Sequence, residues 1–182
     1  MLPMKTQRGF TLIELIMFIV VISGALAGVL TVFVQATRGS AEPQLRRQAM
    51  AIAESLLEEV QLMPFTYCDP DDVVAETAAS AAGCTTAEAM GPEAGETRTA
   101  SPQFDNVNDY NGYAMASGIA SITGTAVPGL GAYSASVSVQ AAALGSVPST
   151  DALRITVTVT GPGATQVRLE GWRTRFAPTA IF

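Results

Sequence analysis

The sequence predicts an α+β fold: a long N-terminal helix, with a membrane-crossing half and an amphipathic half, packed against a C-terminal antiparallel β-sheet. Three observations carry this. From Phe10 to Val34 every residue is apolar or small and uncharged except Glu14, and the run exceeds the ~20 residues a helix needs to cross a bilayer. Between Gln44 and Met63, Leu45, Ala49, Ile52, Leu56 and Val60 recur at helical spacing and fall on one face. Beyond Tyr133, apolar and polar residues alternate with the period of two that marks half-buried strands. The expected organisation is a leader at 1–9, a membrane-crossing helix at 10–34, an amphipathic helix at 35–64 and a globular domain at 65–182. Within that domain a variable loop occupies 65–103 and the sheet about 104–182.

Lys5 and Arg8 precede the apolar run, so the positive-inside bias keeps the N-terminus cytoplasmic and sends the rest across as a single pass. A carboxylate in such a span costs roughly 2.5–3.5 kcal/mol at the helix centre and less near an end. Nothing else inside the span can pair with Glu14. Gly24 and Gly28 form a small-xxx-small spacing that lets helices approach closely in lipid, although glycine is also common in membrane helices for other reasons.

The string Arg8-Gly9-Phe10-Thr11-Leu12-Ile13-Glu14 resembles the signal sequence of type IV pilins and pseudopilins. The resemblance implies that prepilin peptidase cuts after Gly9 and that the new N-terminal Phe10 is methylated. It also implies that Glu14 pairs with the N-terminal amine of a neighbouring subunit during assembly. The apolar core of this leader lies after the proposed cut, unlike that of a conventional secretory signal. Thr31 stands where that family carries a proline that helps part of the helix to unwind. The competing reading is an ordinary uncleaved anchor whose Glu14 snorkels to the interface.

Pro43 is expected to kink the helix or to restart it, and Pro64 to end it. From Phe65 to Gln103 periodicity is lost. Cys68 and Cys84 are the only cysteines and both lie on the translocated side, where one disulfide is the simplest outcome. Asp69 and Asp71 in Cys68-Asp69-Pro70-Asp71-Asp72, with Asp105 and Asp109 in Phe104-Asp105-Asn106-Val107-Asn108-Asp109-Tyr110-Asn111-Gly112, concentrate hard oxygen donors that suit calcium. Neither cluster has EF-hand spacing, and Asp-Pro and Asn-Gly are turn formers, so solvated turns are the competing reading.

Tyr133, Ala135, Val137 and Val139 form one apolar strand face, and Leu153, Ile155, Val157 and Val159 another. Gly161-Pro162-Gly163-Ala164 supplies a turn before the strand that begins with Val167 and Leu169. A bulge is expected at Gly171, after which Trp172, Thr174 and Phe176 share a face.

Further strings, namely Ala49-Met50-Ala51-Ile52-Ala53-Glu54-Ser55-Leu56-Leu57-Glu58-Glu59, Tyr67-Cys68-Asp69-Pro70-Asp71, 104–112 and Leu169-Glu170-Gly171-Trp172-Arg173-Thr174, resemble the MshD minor pilins of mannose-sensitive haemagglutinin-type pili. That resemblance implies a non-enzymatic fibre subunit. Its partners would be the major and minor pilins of the same filament, prepilin peptidase and an inner-membrane assembly platform. It would rest in the inner membrane before assembly and then be periplasmic or extracellular, serving pilus assembly or surface adhesion. A type II secretion pseudopilin, or an uncleaved anchor carrying a periplasmic binding domain, are the alternatives.

Composition agrees with a structural role. The chain has no histidine, and its one lysine is Lys5. This excludes Ser-His-Asp and Cys-His sites and any lysine Schiff base outside the leader; no catalytic residue, cofactor or non-calcium metal site is expected. Formal charge is −6, and loss of Lys5 and Arg8 would leave 8 basic against 16 acidic side chains. An acidic surface of this kind disfavours nucleic acid as a partner.

Overall fold

The computed structural model describes residues 9–181, without the side chains of 37–41. It has an α+β arrangement: helix α1 spans Leu12–Leu62, and a four-stranded antiparallel sheet follows in the order β1 (Ala114–Met115), β2 (Ser134–Ala141), β3 (Ala152–Thr160) and β4 (Gln166–Thr174). The chain divides into two compact units, one ending at Pro43 and the other beginning at Gln44.

In the first unit, residues Leu12–Ala36 form the one stretch among the described residues that is long and apolar enough to cross a membrane, and none of it is buried within the chain. Pro43 lies inside α1 rather than at either end of it. Its ring nitrogen removes one amide donor from the helical ladder.

The second unit is built on the apolar stripe of α1. Ala49, Ile52, Leu56 and Val60 are buried, joined by Ala53, while Leu45 packs at the margin. Ala51, Glu54, Ser55 and Glu58 between them are exposed. Against this stripe lies one face of the sheet. Its register aligns Ala135 with Val159, Val137 with Val157, and Val139 with Ile155, so the buried side chains of adjacent strands stand side by side. Val167 and Leu169 of β4 extend the same face opposite Val159 and Val157.

The expected bulge at Gly171 is absent. β4 pairs with β3 without interruption, Glu170 with Thr156, Gly171 with Ile155 and Trp172 with Arg154. Gly171 therefore sits on the helix-facing side, in line with Val167 and Leu169. A β-carbon there would stand 2.9 Å from Leu57 Cδ1 and 2.5 Å from Gln61 Nε2. The glycine marks the point where α1 crosses the sheet closely, and Gln61 Nε2 donates to the Trp172 carbonyl at 3.4 Å beside it. Close backbone approach, rather than a bulge, accounts for this glycine.

Residues between Phe65 and Gln103 form turns and isolated bridges, with a 3-10 turn at Ala81–Gly83. Cys68 and Cys84 are joined by a disulfide. Arg175 locks the far end of the sheet to the start of this segment. Its guanidinium donates to the Thr66 carbonyl, stacks 3.8 Å from the Phe65 ring centroid and 4.5 Å from that of Tyr67, and pairs with Asp151.

Candidate functional site

The N-terminal segment has a simple local geometry. The Glu14 amide donates to Thr11 Oγ1 at 3.3 Å, and the Leu15 amide to the Thr11 carbonyl at 3.2 Å. Thr11 thus caps α1, satisfying one of the donors a helix start leaves open. Thr11-Leu12-Ile13-Glu14 is the Ser/Thr-x-x-Glu string of a helix start, a signal already present in the sequence. Glu14 stands in the first turn, where the helix dipole favours a negative charge. Among the described residues its carboxylate has no ion-pair partner. It shares a shallow apolar recess with Phe10, Leu15 and Phe18. Gly9 and Phe10 are exposed ahead of the helix. Further along, Gly24 and Gly28 face open space, and a β-carbon on either would meet nothing within 4 Å. Thr31 is helical, its hydroxyl donating to the Ala27 carbonyl at 2.8 Å. Lys5 and Arg8 lie outside the described residues.

Residues 4–30 match the family model of the prokaryotic N-terminal methylation motif. The motif supports a type IV pilin or pseudopilin that is a substrate of prepilin peptidase. It implies processing by that peptidase and assembly with other pilins, and with the apolar helix it fits a membrane-anchored protein. No curated protein and no solved structure gives a match to the chain.

The domain holds two further charged constellations. In one, Glu59 of α1 and Arg98 form a buried bidentate pair, with Nε to Oε1 at 2.6 Å and Nη2 to Oε2 at 2.7 Å. Tyr110 donates its hydroxyl to Glu59 Oε1 at 2.8 Å, and Arg98 Nη1 donates to the carbonyls of Ala120 and Ser121. The Glu59 hydrogen bond pushes the Arg98 guanidinium still further up, against the effect of burial. Burial, then the bond to Glu59, pushes the Tyr110 phenol up as well. Tyr110, Tyr113 and Phe104 meet edge to face around this pair. Arg98 is the only basic residue between Arg47 and Arg154, a signal that could have singled it out.

The other constellation is acidic. The aspartates grouped by sequence separate into two sets: Asp69, Asp71 and Asp105 lie together, whereas Asp109 joins Glu88 and Glu93. In each set one carboxylate oxygen per residue lies within 4.8 Å of the others. Asp69 also closes a local turn, its Oδ1 accepting from the Asp71 amide at 2.8 Å. Asp72 accepts from the Val74 and Thr86 amides, and the Thr86 bond holds its carboxyl below the usual range. Burial pushes Glu88 up to about 9, reinforced by the charge of Asp109, and Glu96 up to about 8 by the same two causes. Burial raises Asp109 to about 7 against the hydrogen bonds from the Asn106 and Asp105 amides, and Asp105 to about 6 with help from Asp69. Glu88 and Glu93 lie in the Ala- and Glu-rich segment, where sequence periodicity carries no information.

Proposed function

We propose that this chain is a minor pilin of a type IV pilus of the mannose-sensitive haemagglutinin type, a non-enzymatic subunit made by cleavage after Gly9 and methylation of Phe10. One observation carries the reading. A single carboxylate, Glu14, stands in the first turn of an otherwise apolar, unburied helix, five residues beyond the glycine of the matched motif. A charge in lipid is costly without a counter-charge. The amine created by cleavage in a neighbouring subunit supplies one at the same depth. Before assembly the helix holds the subunit in the inner membrane; afterwards its apolar face and the Gly24–Gly28 spacing pack against neighbouring helices. The domain then faces outward for assembly or adhesion.

The downstream strings, 104–112 and 169–174 among them, support the pilus over a secretion pseudopilus. Mass spectrometry of the mature N-terminus tests the processing. N-methylated Phe10 is expected, and an intact Met1 would overturn the proposal in favour of a plain anchor. Surface labelling on intact cells separates pilus from pseudopilus: a fibre subunit is labelled outside the cell and a pseudopilin is not.

A further inference from the structure

We propose that Glu88, Glu93 and Asp109 form a calcium site in the domain. The cluster is held by main-chain bonds on both sides. The Glu88 amide donates to the Tyr67 carbonyl at 3.0 Å, and the Gly91 amide, between the two glutamates, donates to the Asn108 carbonyl at 3.1 Å. Asp109 is 0% exposed. Its Oδ2 accepts the amides of Asn106 at 2.7 Å and Asp105 at 3.0 Å, while its Oδ1 has no partner. Both carboxylate oxygens of Glu88 are buried and have no hydrogen-bond partner either. In the same short stretch of chain as Asp109, Asn106 and Asn108, 0% and 5% exposed, each leave Oδ1 without a partner among the described residues.

Buried polar oxygens are ordinarily satisfied, and those that are not call for an explanation such as an ion. Among the described residues no arginine forms an ion pair with Glu88, Glu93 or Asp109. Three carboxylates with oxygens within 4.8 Å of one another cannot all carry charge uncompensated, and a divalent cation lets them ionise together. All the donors are hard oxygens. Calcium takes 6–8 such ligands at roughly 2.3–2.6 Å, so it bridges oxygens up to about 5 Å apart and accepts a bidentate glutamate beside amide oxygens. Magnesium, at about 2.0–2.1 Å and near-octahedral, spans only about 4.2 Å and parts reluctantly with its water. The set favours calcium. The inference stands apart from the pilin reading and survives or fails without it.

The test uses the full chain in detergent micelles, stripped with chelator and titrated with calcium or magnesium chloride. One calcium per chain is expected. At about a hundred times the dissociation constant, calcium should raise the melting temperature by ~5–10 °C, with a clearly smaller response to magnesium. Glu88→Gln/Glu93→Gln should fold without metal, melt no lower than the stripped wild type, and lose the calcium response. Asp69→Asn/Asp71→Asn should keep it. No binding heat and no thermal shift at about 5 mM calcium, above the ~10⁻³ M weak end of extracellular sites, would overturn the proposal. So would an equal response to magnesium. Loss of the response in Asp69→Asn/Asp71→Asn but not in Glu88→Gln/Glu93→Gln would move the ion to the other acidic set and overturn this assignment.

Discussion

The span Leu12–Ala36 and the domain from Gln44 onward treat the same residue types in opposite ways. In the span, Glu14 has no counter-charge among the described residues, and Gly24 and Gly28 face empty space. In the domain, Glu59 is met by a bidentate arginine and a tyrosine, and Gly171 is crowded by Leu57 and Gln61. Residue choices in the domain are explained by contacts within the chain. Glu14, Gly24 and Gly28 in the span have no such contact among the described residues, which is what a subunit built for assembly requires.

The sharpest way to break this contrast is Glu14→Ala. Cleavage and membrane insertion should proceed, because the alanine removes a buried-charge cost, yet incorporation into filaments should fall to background. Immunoblots of sheared fibres against whole-cell processing read the two effects separately, and normal incorporation would show that Glu14 needs no outside partner. Next in size is the buried pair. Arg98→Ala or Glu59→Ala leaves a charge without its partner and should cost about 3–5 kcal/mol of domain stability. Exchanging both for apolar or neutral residues of similar size, Glu59→Gln with Arg98→Met, should cost clearly less. Denaturant unfolding measures both. Removing the cross-link with Cys68→Ser/Cys84→Ser should cost about 3 kcal/mol in the chain-entropy account of a loop this size. The smallest pair of effects compares glycines. Gly171→Ala should cost about 1–3 kcal/mol, since Leu57 and Gln61 must shift. Gly24→Ala should leave the melting of the isolated chain unchanged and show itself only where helices pack together.

Much of the architecture was legible because burial imposes a period. The stripe from Ala49 to Val60 and the alternating faces of β2 and β3 each repeat often enough to be read without partners. The sequence pattern suggests a bulge at Gly171 because polarity changes there, whereas the pairing runs through it. The change has another cause: Trp172 and Thr174 lie on the outer face, and the glycine continues the inner one. β1, two residues long, has too few repeats to register. The charged constellations were hidden for a different reason. Glu59 and Arg98, or Glu88 and Asp109, are joined by turns whose path no local periodicity encodes. Only the isolation of Arg98 in an acidic stretch leaves a trace in the sequence. Glu14, by contrast, was legible at once, because a lone charge in an apolar run stands out regardless of fold.

The threonine that opens α1 has a bearing on maturation. Thr11 lies on the far side of the proposed scissile bond, second in the processed chain, and the amides it receives belong to Glu14 and Leu15. Peptidase action would thus trim the polypeptide without unravelling its first turn. The newly freed amino group would emerge on a backbone already shaped, ready to dock with no refolding step between cutting and polymerisation.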